Sequence, residues 1–163
     1  MTADLHSAAA AVNQEDIFGP FFAMVTLTVV VWVWMYSRRL PFLIGYLYRH
    51  KLEDARVLNV PNGKHNIDAI SPPSVKNPSD NLKNLFEMPT LFYAVVLQLY
   101  VTRQVDAFSV TTAWAFVACR CVHSAIHCTS NVIEYRFASY ILSSLSLFLM
   151  IFRAAFLWWH HRH

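Results

Sequence analysis

Glycine is scarce in this chain, three residues in 163, and no stretch alternates polar and apolar residues for long enough to make barrel strands; a soluble mixed fold and a β-barrel are both disfavoured. Charge is scarce as well, at 14% of residues against 56% apolar and 15% aromatic. The polar residues come in blocks between apolar runs, the pattern of a single-domain integral membrane protein over residues 1–163. Cysteine is confined to Cys119, Cys121 and Cys128. An odd number in or beside one apolar run provides no disulfide framework, and the three read as reduced, small apolar fillers. The first sixteen residues carry Asp4, Glu15 and Asp16 but no Lys or Arg, so they lack the basic start of a secretory signal. Residues 1–17 read as a polar extramembrane tail.

What is present is four apolar runs, at 21–36, 85–101, 108–128 and 136–159, and these predict an all-α bundle of four transmembrane helices. The first opens on Gly19-Pro20, a proline suited to a first helical turn, and closes on Trp32, Trp34, Tyr36 and Arg38-Arg39. Residues 38–83 hold eight of the thirteen Lys and Arg together with most of the prolines. They read as a long basic loop outside the hydrocarbon, helical along the membrane surface in its first part and placed in the cytoplasm by its charge. Both termini then fall on the opposite side. The basic residues act as orientation signals, and no nucleic-acid partner is expected. The two later connections are short, which makes successive helices antiparallel neighbours.

The second span is the informative one. A polar entry at 77–84 leads into it, and Asp80, Asn84 and Glu87 recur at spacings of three and four on one helical face. A carboxylate in lipid costs about 2.5–3.5 kcal/mol on lenient insertion scales, so it should face protein or water and have a partner. The third span carries Arg120, His123 and His127 at the same spacing, and the fourth opens with Arg136 and Tyr140 four apart. All three groups fall at one depth, with a Glu87–Arg120 ion pair expected at the centre.

Three readings of that cluster stand side by side. It is a buried polar knot that sets helix register, or a site where Arg120 and Arg136 hold a small anion, or a metal site of His123, His127 and Glu87. The metal reading lacks a third confident His or Cys, His65 being in the loop, and no metal is expected. Ser143, Ser144 and Ser146 read as small residues at a helix contact, since no acid stands at helical spacing to complete a hydrolase arrangement. The terminal run 160–163 reads as a headgroup-level anchor or a solvated tail.

The order Asn84-x-x-Glu87, Pro89, Arg120-x-x-His123, Arg136-x-x-x-Tyr140 on four apolar spans resembles the membrane-associated proteins in eicosanoid and glutathione metabolism, the MAPEG family, over about residues 21–159. The basic loop after the first span is similar to that family's cytosolic loop, and Arg38 or Arg39 matches a basic residue at that helix end. The resemblance implies a homotrimer holding glutathione between protomers near the cytoplasmic side. Arg136 and Tyr140 would be the catalytic residues, the first beside the thiol and the second in contact with the same ligand. Asn84, Glu87, Arg120, His123 and Arg38 would bind the peptide or organise its pocket, and an apolar electrophile would enter from the bilayer. The chain departs from the family pattern at two places. Asp80 stands where glutathione-using relatives carry arginine, and His127 where several carry tyrosine; Lys83 has the charge to replace that arginine but is expected to point about 100° away from Asn84. The alternative implied by these departures is a non-catalytic scaffold or accessory subunit that packs against partners in a membrane complex.

Overall fold

The computed structural model describes residues 12–160, save 53 and 62; the acidic Asp4 and the last three residues of the 160–163 tail lie outside the described residues. The chain forms α1 (Phe18–His50), α2 (Ile67–Ile70), α3 (Pro73–Leu85), α4 (Met88–Val101), α5 (Ala107–Cys128) and α6 (Ile133–His160). Short 3-10 turns precede α1 at Gln14–Ile17 and follow it at Ala55–Asn59. Among the described residues there is no strand. Three stretches are long and apolar enough to cross a membrane: Gln14–His50, Pro73–Val101 and Ile133–His160. The fourth member of the bundle, α5, has 22 residues, about 33 Å of helix. Its inward face bears Arg120, His123 and His127, all buried, and these polar groups interrupt its apolar run.

The first helix outruns the apolar run 21–36, and the surface helix expected after Arg39 is its continuation. At 33 residues it measures about 50 Å and runs straight through Arg38-Arg39 and Pro41, ending where Lys51 turns left-handed at φ 53°. Arginine is a good helix former, so a charged pair marks a membrane boundary without ending the helix. The stretch 38–83 is therefore largely helical, its polar loop reduced to the segment between Lys51 and the start of α3. Likewise residues 14–17 belong to the bundle. Asn13 caps their 3-10 turn, Ile17 is fully buried, and the Gln14 amide both donates to the Val105 carbonyl and accepts from the Val105 N–H, each at 3.1 Å.

The core lies between α4, α5 and α6 and is closed by one face of α1. Phe92 of α4 stacks on Phe116 of α5 with centroids 4.7 Å apart, and Met24, Val96, Leu99, Leu147 and Met150 surround them. The closest pairing is α5 against α6. Ser139, Ser143 and Ser144 line the buried face of α6 and return their hydroxyls to carbonyls three or four residues back, which lets the helices approach without stranding a polar atom. Gly19 serves the same end on α1, because a Cβ there would sit 3.1 Å from the Trp114 ring. The outward faces carry Val29, Val33, Leu145, Leu149 and Phe152, each more than half exposed, the surface a lipid environment requires.

Away from the basic loop, the α4–α5 turn is pinned by a charge. Asp106 caps α5 through the Ser109 N–H at 2.8 Å and accepts from Arg153 of α6 at 2.9 Å. Partial burial works against its ionisation, but the Ser109 N–H and the Arg153 guanidinium outweigh that, and the carboxyl is held below its ordinary range. A carboxyl that ionises more readily in the folded chain supports the fold above the ordinary carboxylate pKa, and the support is lost as acid protonates the folded group below about pH 4. We expect Asp106→Ala to lower stability by about 1 kcal/mol at neutral pH through loss of the cap. It should also flatten the acid limb of a detergent melting curve taken against pH.

Candidate functional site

Pro89 creates the site. A proline has no N–H and its ring crowds the carbonyl four residues back, here that of Leu85, so the helix cannot pass through this point unchanged. In the structure α3 ends at Leu85 and Glu87 adopts φ −91°, ψ −96° before α4 restarts. The polar entry and the apolar span are thus two helices, not the unbroken one the sequence suggests. The break leaves carbonyls of the last turn of α3 without helical donors. Arg120, fully buried on α5, supplies one: its Nη2 donates to the Asn84 carbonyl at 2.6 Å. Its guanidinium also lies 5.7 Å from the centroid of the Tyr140 ring, within cation–π range.

The expected Glu87–Arg120 ion pair is accordingly not formed. Among the described residues the salt bridges are Lys83–Asp80 and Arg153–Asp106, and Glu87 is exposed. The break takes Glu87 out of helical register with Asn84, while the broken helix presents its own partial negative charge to the arginine.

Above Arg120 opens a cleft of about 570 Å³. Its walls are Asp80, Lys83 and Asn84 from α3, Glu87 from the break, His123 and His127 from α5, and Ile133, Arg136, Phe137 and Tyr140 from α6. Five of the seven sequence-predicted residues, Asn84, Glu87, His123, Arg136 and Tyr140, therefore meet there. Arg120 lies behind the wall, and Arg38 does not line the cleft; it is exposed on α1, whereas its neighbour Arg39 donates to Ser79 of α3 at 3.1 Å. Lys83, expected to point away, does line the cleft, where its Nζ lies 3.0 Å from Asp80 Oδ1.

The histidines hold the walls together. His123 Nδ1 donates to the Arg136 carbonyl at 3.0 Å, which assigns the proton to that nitrogen, since a carbonyl only accepts. His127 Nδ1 is 3.4 Å from Asn84 Nδ2. Among the described residues no three His, Cys, Asp or Glu side chains are grouped to hold a metal.

Three asparagines escaped the sequence reading. Asn131, left-handed at φ 51° in the α5–α6 turn, accepts from Arg136 Nη1 at 2.6 Å and donates to Asn77 at 3.3 Å. It holds the arginine at the rim. Asn81, fully buried, donates to Cys128 Sγ and accepts from Ser124, both at 3.4 Å. A polar residue on the apolar-facing side of α3 is the signal that could have exposed Asn81; Asn131 had only a turn position to recommend it.

A bundle of apolar helices around an internal polar cleft, with two cations on its walls and a third behind them, is the architecture of a polytopic membrane protein. The MAPEG family model matches residues 17–156, and the chain belongs to that family. No curated protein and no solved structure matches it.

Because Arg120 serves the α3 carbonyl and not Glu87, the two residues should separate on mutation. Arg120→Met should lower stability in detergent by about 1.5–3 kcal/mol, the range for a hydrogen bond from a charged group. Glu87→Gln should leave it within about 0.5 kcal/mol of the parent.

Proposed function

We propose that this protein is a glutathione-dependent transferase or peroxidase acting on an apolar electrophile delivered from the bilayer. The observation that carries the reading is Arg136, whose guanidinium reaches the cleft beside Tyr140 with a neutral amide, Asn131, as its hydrogen-bonding partner. Its charge is left for a ligand.

The residues present fit glutathione in kind. The cleft volume lies within the usual range for small-molecule sites, and its walls carry charges of both signs, as a peptide with an ammonium and carboxylates requires. Glutathione, when bound, would supply the thiol. Arg136 favours the thiolate, the attacking species, and Tyr140 donates a hydrogen bond to it. Glu87, in no salt bridge among the described residues, accepts the ligand ammonium, and the Asn84 amide faces the peptide. Arg120 acts from behind by holding the end of α3, and His123, on the wall, acts by fixing the backbone at Arg136. Arg38 does not line the cleft of its own chain; in a homotrimer with sites between protomers, which this reading includes, a neighbouring copy would supply it. The basic connection after α1 would face the cytoplasm, with both termini opposite.

A second reading is favoured by Asp80. A carboxylate on the cleft wall, already paired with Lys83, suits a scaffold or accessory subunit that has kept the fold without the transferase chemistry. Such a subunit would use its apolar flanks to meet partners in a membrane complex.

Calorimetry of glutathione binding to the purified protein in detergent separates the two. The enzyme reading expects binding by the parent chain, at least tenfold weaker in Arg136→Ala, with loss of thiol transfer and an intact oligomer. No binding by folded, oligomeric protein supports the scaffold.

A further inference from the structure

A second polar opening lies at the other end of the bundle. It measures about 340 Å³, and its walls are Asn13, Gln14 and Glu15 from the turn before α1 and Tyr100, Val101 and Arg103 from the end of α4. The walls are fixed to each other: the Gln14 amide holds both backbone groups of Val105, and the Phe18 ring lies 4.7 Å from that of Tyr100. Asn13 is spent on its own turn, its side chain accepting from the Glu15 N–H. What the opening presents to a ligand is therefore the Glu15 carboxylate and the Arg103 guanidinium, both exposed and neither in a salt bridge among the described residues.

The depth of this opening is set by the helices that frame it. The apolar span that α4 completes ends at Val101. Phe18 and Arg38 stand about 30 Å apart along α1, one hydrocarbon thickness, which puts Phe18 and the opening at the membrane boundary away from the basic connection. Val101, 76% exposed on the rim, meets acyl chains there, and Tyr100 stands where aromatic side chains gather at an interface. An anion and a cation on separate walls complement a zwitterion: the guanidinium fork matches a phosphate, and the carboxylate accepts from an ammonium. A quaternary ammonium has no N–H to give Glu15 and calls for an aromatic cage, whereas Tyr100 is the one aromatic wall here and is already packed by Phe18. A headgroup with a phosphate and no cation would leave Glu15 facing a like charge.

We propose that this opening binds the headgroup of a zwitterionic phospholipid bearing a primary ammonium, an aminoethyl phosphodiester, with Arg103 on the phosphate and Glu15 on the ammonium. The acyl chains lie along the apolar end of α4. The site shares no residue with the polar cleft, so it stands or falls apart from the thiol reading.

The test is native mass spectrometry of the full chain, in the oligomeric state in which it is isolated in detergent, titrated with phosphatidylethanolamine, phosphatidylcholine and phosphatidylglycerol of identical acyl chains. The ethanolamine lipid should bind on the order of tenfold tighter than either of the others. Arg103→Gln should weaken its binding on the order of tenfold, and Glu15→Gln should bring the ethanolamine and choline lipids to within about twofold of each other. Arg56→Gln, which removes an exposed cation from the basic connection, should leave both the affinity and the preference unchanged. Equal retention of the three lipids means an unspecific lipid shell and overturns the proposal. So does a preference for phosphatidylglycerol, or an ethanolamine preference that survives Glu15→Gln. Displacement of the lipid by soluble glycerophosphoethanolamine at equal concentration overturns the lipid as the ligand. Failure of folded protein to retain any of the three, as when a neighbouring copy covers the opening, overturns the site itself. The comparison of lipids in the parent chain decides the point even if a variant does not fold.

Discussion

The contact on which the rest of this structure depends is one hydrogen bond, from the buried Arg120 guanidinium to the Asn84 carbonyl at 2.6 Å. A helix interrupted inside lipid leaves backbone carbonyls that water cannot reach, and each unsatisfied group there is costly. A guanidinium is suited to the task because it stays charged when buried and carries several donors in a rigid fork. With Arg120 on the end of α3, the break at Phe86–Glu87 is stable and α3 can diverge from the line of α4. The space opened on that side is the cleft.

The two ends of the bundle are built differently. At the end away from the basic connection, the α4–α5 turn is tied to α6 by Asp106–Arg153 and to the segment before α1 by the paired Gln14–Val105 bonds. Aromatic contacts continue that fastening, Phe18 against Tyr100 at 4.7 Å and Phe21 against Tyr93 at 5.1 Å. At the other end the helices are linked by single contacts through asparagines and histidines, and between them they leave an open volume. Packing closes one end so that the other can remain a site, since a ligand cleft needs walls whose positions are set elsewhere.

The walls divide their work between backbone and side chain. His123 and His127, prominent as metal candidates in the sequence, spend a ring nitrogen on holding α6 and α3 in place. Asn131 steadies Arg136 without neutralising it. The charge thus remains directed into the cleft, where an arginine opposed by a carboxylate would have been satisfied internally. Asp80 does oppose a cation there, but that cation is Lys83, at 3.0 Å.

The sequence by itself determined the class of fold, the four apolar runs and most of the polar cluster, because burial in lipid imposes a run length of about 20 residues and helical spacing places Arg120, His123 and His127 on one face. It also determined that Arg136 and Tyr140 share a face, and the cleft confirms that they do. Only the tertiary structure decided what those residues touch. Pro89 announced a helix restart without saying how far Glu87 would swing from Asn84, so the partner of Arg120 had to come from the packed bundle: a backbone carbonyl, invisible in a string of side chains. The same holds for Asn131 and Arg153. Their partners lie across a left-handed turn and between antiparallel helices, and neither relation has a period that sequence spacing can record.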